Sequence, residues 1–220
     1  MTIGLVFLSL LMLVIVGWLF RQTVNVLPWQ AQVALPDVRH RVPSRPTAKT
    51  ALWVFLAVAS SLFALFVSAY AMRLSFGDWS PLHRPRLLML NTAILAGASV
   101  AMEWTVFAAR RADLGGVRRG LSASGLLTVG FLAGQLVVWQ QLSGAGYFLA
   151  TNAASSFFYL LTAVHGVHVL GGLVAWARAS ARAWRGSNPA KVRLGVELCA
   201  IYWHFLLVVW AVLFALLLST

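Results

Sequence analysis

The chain has 220 residues, 60% of them hydrophobic and only 10% charged, and its mean hydropathy is +0.83. Such a composition excludes an ordinary soluble domain and a disordered chain, and places the protein in the membrane class. A net charge of +12 would suggest a nucleic-acid partner in a soluble protein. Here every lysine and arginine lies outside the long apolar runs, divided among separate short connections, so no nucleic acid is expected.

A hydrocarbon core about 30 Å thick takes about 20 apolar residues in a helix. Six stretches are long enough: 3–20, 51–72, 88–108, 123–143, 155–177 and 195–218. The first lacks a basic start and a small-residue cleavage signature and is followed by Arg21, so residues 1–20 are predicted to remain as a spanning helix. Residues 21–50 contain Pro28, Pro36, Pro43 and Pro46 and no clear period, which predicts an extended linker. The remainder, 51–220, is predicted to form a compact five-helix domain. The fold class is therefore an all-α integral membrane protein with six transmembrane helices. Neither an internal repeat nor the pair of Gly/Pro-interrupted helices used by transporters is present.

Charge then sets orientation. Fourteen of the basic residues fall in 21–50, 109–122 and 178–194, and the other three are Arg73, Arg84 and Arg86. The positive-inside rule puts the three basic connections in the cytoplasm and both termini outside. The same cations would meet anionic lipid headgroups.

Ionisable groups inside spanning helices are costly and usually face protein. His165 and His168 stand one turn apart on one face of the fifth span, and His204 lies in the sixth. His168 precedes Arg178 by ten residues and His204 follows Arg193 by eleven. At 1.5 Å per residue, both lie about 15 Å from the inner charges, so they are expected to meet or to share a polar partner. Glu103 and Glu197 sit near the inner ends of their helices, within reach of Arg110 and Arg193. Three histidines would be enough ligands for zinc, copper or iron, and a proton relay is also conceivable. The reading that leads is an interhelical polar cluster of neutral imidazoles and paired carboxylates, each such bond contributing about 0.6 kcal/mol. On that reading the chain has no metal site and no catalytic residue. The single cysteine, Cys199, excludes a CxxC metal site and an intrachain disulfide. Gly130 and Gly134 have the GxxxG spacing of close helix approach, and Trp79, Trp104, Trp139 and Trp176 are expected to anchor helices at the membrane interfaces.

These residues also carry a resemblance. Ser156-Phe157-Phe158 followed by Thr162-Ala163-Val164-His165-Gly166-Val167-His168-Val169 resembles the Ser-x-Phe-Phe and Thr-Gly-x-His-Gly-x-His-Val signature of haem–copper oxidase subunit III. Glu197 with Tyr202-Trp203-His204-Phe205 and Val208-Val209-Trp210 matches that family's last helix, and Leu90-Asn91-Thr92 matches the start of another. The second span, with Leu52-Trp53-Val54-Phe55-Leu56-Ala57 and Ser68-Ala69-Tyr70, matches more weakly. The resemblance covers 50–218, so residues 51–220 are expected to be a subunit III-like five-helix bundle preceded by one extra helix. It marks Asn91, Thr92, Trp203 and Trp210 as family-motif positions.

The resemblance implies a non-catalytic subunit of a proton-pumping terminal oxidase in a bacterial-type inner membrane. Such a subunit packs mainly on subunit I, contacts other oxidase subunits and membrane lipids, and binds structural phospholipid. Haem and copper are expected in the partner subunits and no cofactor in this chain. Two departures stand out. Ala59 replaces a glutamate that many relatives carry in the second span, and Leu207 replaces the aspartate of a His-Phe-x-Asp pattern. Both losses favour assembly, stability or lipid binding over proton transfer. The missing second-span glutamate also keeps open a subunit III-like protein associated with nitric oxide reductase, and a quinol oxidase subunit stays open because electron-donor sites lie on other subunits. A stand-alone intramembrane metalloenzyme and a transporter stand further off.

Overall fold

A computed structural model describes residues 45–74, 87–148, 152–186 and 188–218. All the regular structure among them is helical: α1 (Arg45–Arg73), α2 (Leu87–Arg110), α3 (Leu114–Gly144), α4 (Ala153–Trp184) and α5 (Pro189–Leu218). Each is long and apolar enough to cross a membrane. Five of the six expected spans are thus present. The expected N-terminal helix, 1–20, and residues 21–44 of the expected linker lie outside the described residues. Residues 45–50, expected at the linker's end, belong to α1.

The helices run past the hydrophobic stretches that announce them. α3 begins at Leu114 rather than 123, because Asp113 accepts a hydrogen bond from the Gly116 amide at 2.9 Å and caps the helix there. α4 continues to Trp184, seven residues beyond its apolar run, and is closed from outside by Arg118, whose Nε and Nη2 both donate to the Ala183 carbonyl at 3.2 Å. α5 begins at Pro189, where a missing N–H costs nothing, with the Asn188 side chain accepting from the Ala190 amide at 2.9 Å. The expected basic loops 109–122 and 178–194 are therefore mostly helix: only 111–113 separate α2 from α3, and α4 ends at Trp184 with α5 beginning at Pro189. The physical reason is that a hydropathy window measures the hydrocarbon thickness, whereas a capped helix carries on into the headgroup layer with its cations on it.

Contacts divide the chain after Ser68, inside α1, and residues Ala69–Thr220 form one compact unit. Within that unit α2 packs on α3 and α5, and α4 packs on α3 and α5. Consecutive helices are neighbours and the last returns to the first, which is an up-and-down four-helix bundle. Its centre holds Phe131, Trp203, Trp210, Leu95, Met102 and Leu161, all fully buried. Its outer faces carry exposed Leu126, Val129, Leu136, Val167, Leu170 and Val174. Because lipid is as apolar as these side chains, no hydrophobic force separates inside from outside. Close packing and hydrogen bonds must hold the bundle.

Candidate functional site

The HGVH stretch of α4 meets that demand in two ways. His165 is fully buried in the bundle. Its ring lies 5.1 Å from Trp210 of α5, tilted 37°, and 5.8 Å from Phe131 of α3, edge-on. Phe131 and Trp210 complete the triangle at 5.0 Å, again edge-on. Edge-to-face rings of this kind contribute beyond the area they bury, about 0.5–1.5 kcal/mol per aromatic pair. His168 turns back on its own helix: its Nδ1 lies 2.8 Å from the Val164 carbonyl, while its own carbonyl accepts from the Tyr202 hydroxyl of α5 at 2.8 Å. That approach is possible because Gly172, one turn on, has no side chain; a Cβ there would stand 2.7 Å from the Tyr202 ring.

The positions marked by the sequence resemblance form the remaining joints. Trp210 Nε1 donates to Thr92 Oγ1 at 3.0 Å, tying α5 to α2. Trp203 Nε1 donates to Thr128 Oγ1 at 3.0 Å, tying α5 to α3. Asn91 Nδ2 donates to Gln135 Oε1 at 3.1 Å, tying α2 to α3. Gly134 leaves room for the Asn91 amide, which a Cβ would strike, so the expected close approach at the GxxxG pair takes the form of a notch for a side chain. Two tryptophans expected to anchor helices at the interfaces serve as further joints between α3 and α4. Trp139 Nε1 donates to Thr162 Oγ1 at 3.1 Å, and Trp176 Nε1 donates to the Leu121 carbonyl at 3.0 Å. Trp104 is exposed, and Trp79 lies outside the described residues.

The carboxylates separate into two pairs. Glu197 is bound within α5 by Arg193, Nε to Oε1 at 2.9 Å. Glu103 of α2 meets His204 of α5, Oε2 to Nε2 at 3.1 Å, and the other ring nitrogen of His204 lies 2.5 Å from Ser99 Oγ, also on α2. Both ring nitrogens of His204 are thus engaged with α2, and the expected meeting with His168 gives way to this pairing. Depth in the membrane matched either partner, and α5 touches both α4 and α2. The series Ser99–His204–Glu103 has the residue types of a nucleophile, base and acid, but Ser99 is 2% exposed in mid-helix. Its neighbours' amides are consumed by the helix, so no reacting carbonyl could be reached or stabilised. Among the described residues no group of three or more His, Cys, Asp and Glu could hold a metal ion.

Sequence reading missed Ser99, Thr128 and Gln135. Ser99 had a signal, since it lies four residues before Glu103 on the same helix face. Gln135 stood out as an amide in mid-span. Thr128 carried none, because a threonine in an apolar helix usually returns its hydroxyl to its own backbone, as this one also does to Ser124 at 2.7 Å.

Fold and site together define a multi-pass helical membrane protein whose polar intramembrane residues are spent largely on joining helices. The cytochrome c oxidase subunit III family model matches residues 49–219, and the chain belongs to that family. It is 32% identical over 183 residues to the probable cytochrome c oxidase subunit 3 of Mycobacterium tuberculosis, covering 80% of this chain and 88% of the relative. The corresponding protein of Nocardia farcinica is 33% identical over 181 residues, covering 79% and 87%. Cytochrome c oxidase subunit 3 of Synechocystis is 34% identical over 172 residues, covering 74% and 71%.

Proposed function

We propose that this chain is the non-catalytic third subunit of a haem–copper terminal oxidase in aerobic respiratory electron transport. Its main contact is the catalytic subunit, which it stabilises, and haem and copper reside in partner subunits. Structural phospholipid sits between its helices. The membrane is the inner membrane of a bacterium, with the basic helix ends in the cytoplasm and both termini outside. One observation carries the reading: His165, Thr92, Asn91, Trp203 and Trp210, residues of the stretches that carry the sequence resemblance, lie in ring contacts and hydrogen bonds between helices. A scaffold needs such residues there, whereas a redox carrier would need them as ligands. The loss of ionisable groups at Ala59 and Leu207 supports support-and-assembly over direct proton transfer. The Ala59 departure also favours, as second reading, a subunit III-like protein beside nitric oxide reductase.

The test is a pulldown of the tagged chain from its native membranes in mild detergent, with a reduced-minus-oxidised spectrum and mass spectrometry. Oxidase haems and the catalytic subunit are expected in fixed ratio to the chain. Nitric oxide reductase subunits in their place would install the second reading, and a chain that came away alone would overturn both.

A further inference from the structure

The outward faces of α3 and α4 are apolar through the middle of their spans, with Leu126, Val129, Leu136, Val167, Leu170 and Val174 exposed there. The seam between α2 and α5 breaks this rule. The side chains of Glu103 and His204 are 58% and 45% exposed on the bundle's outer surface, ringed by exposed Val100, Phe107 and Val208. Glu103 stands seven residues before Arg110, about 10 Å along the helix from the first interfacial cation. A carboxyl group presented to hydrocarbon at that depth is expensive, and such groups in spanning helices face protein. His204 meets one oxygen, Oε2, whereas a carboxylate accepts at about four lone-pair sites. The seam therefore offers acceptor capacity within an apolar frame.

We infer that the Glu103–His204 seam of α2 and α5 is a docking face for a transmembrane helix of the catalytic subunit, one that brings a hydrogen-bond-donating side chain to Glu103. The inference rests on the oxidase assignment above. A second copy of this chain fits poorly, because a two-fold contact through this seam sets Glu103 against Glu103. A lipid ammonium group belongs to the headgroup layer and would have to sink about 10 Å into hydrocarbon to reach the carboxylate. A helix carries its donor to that depth without penalty once the pair has formed.

The experiment places a photoreactive benzoyl-phenylalanine at Val100 or Val208, or at Val129 or Val167 as controls, in the full chain assembled in its native membranes. Illumination should join positions 100 and 208 to a transmembrane helix of the catalytic subunit, identified by mass spectrometry, while 129 and 167 yield lipid adducts. In parallel, Glu103→Leu should lower the fraction of oxidase that retains this chain at limiting detergent by about 3- to 20-fold, the range of one intramembrane hydrogen bond. The isolated variant's thermal midpoint shows whether it still folds. If oxidase subunits co-purify but positions 100 and 208 give only lipid adducts, or adducts within or between copies of this chain, the docking face is elsewhere and the inference fails alone. Full retention of a folded Glu103→Leu chain would likewise overturn it. Absence of oxidase subunits from the wild-type pulldown would remove the assignment on which it rests.

Discussion

Indole nitrogens decide much of the cohesion at the level of single residues. Four tryptophans donate across helix boundaries, two to threonine hydroxyls of the neighbouring helix in the α5 joints: Trp203 to Thr128 and Trp210 to Thr92. Each of these threonines is also bonded to its own helix, Thr128 to Ser124 and Thr92 to Leu88. Replacing the indole by a phenyl ring therefore strands no hydroxyl. Trp203→Phe is expected to cost about 0.6 kcal/mol, and at most about 1.7, since it removes one intramembrane hydrogen bond and keeps most of the ring's burial. Trp203→Ala also opens a cavity in the fully buried centre and should cost about 3–5 kcal/mol. Thermal unfolding of the purified chain in detergent should rank them as wild type, Phe, Ala, with the exposed Trp184→Phe matching wild type. A Trp203→Phe midpoint equal to wild type would take the Thr128 bond out of the account.

At the scale of whole helices, the contacts are set by where a side chain is missing as much as by where one is present. α4 and α5 come together where Gly172 faces the Tyr202 and Trp203 rings, a Cβ there falling 2.7 Å from Tyr202 and 3.3 Å from Trp203. Gly172→Leu should push the two helices apart, break the Tyr202 bond to the His168 carbonyl and cost several kcal/mol by overpacking, roughly 1–3 or more. Gly171→Leu, with nothing near its Cβ, should be close to neutral although it lies next in sequence. Comparing the two in a detergent melt separates packing from glycine content. If both variants melted together, the close approach at Gly172 would not be a determinant of stability.

The same scale shows why some of this was legible beforehand and some was not. The existence and order of five spans follow from the apolar runs, and the capping residue Asp113 and the Asn188-Pro189 pair stand in the sequence as start signals for longer helices. They were outweighed there by the clusters of arginine, which read as loop when they are in fact helix. Depth along a helix was legible, so His204 and Glu103 were placed among the polar residues of the spans. Azimuth was not. These helices are apolar nearly all round, so no polar stripe reveals which face turns inward. Since α5 packs on both α2 and α4, it is the facing of His204 that decides its pairing with Ser99 and Glu103 of α2. For the same reason an indole exposed on the bundle's outside and an indole that donates to the next helix look alike in sequence, as Trp104 and Trp176 do.

The scale of the whole molecule is governed by charge. The basic residues at the α2–α3 turn and at the α4–α5 turn lie at one end of the bundle, and the described turn between α3 and α4, at Ala145 to Phe148, has none. A potential difference and the anionic inner leaflet both favour keeping the cationic end in the cytoplasm. The lone Cys199 is buried, so Cys199→Ala gives a background with no thiol in which single cysteines report one position each. Ala145→Cys and Ala190→Cys lie at opposite ends of the bundle, are both exposed, and leave every cation in place. In intact spheroplasts, a membrane-impermeant maleimide should label Ala145→Cys at once and Ala190→Cys only after permeabilisation. The reversed pattern would invert the orientation and carry the Glu103–His204 pair to the outer half of the membrane. A docking helix would then have to present its donor there, so the labelling result constrains which depth of the catalytic subunit can meet this chain.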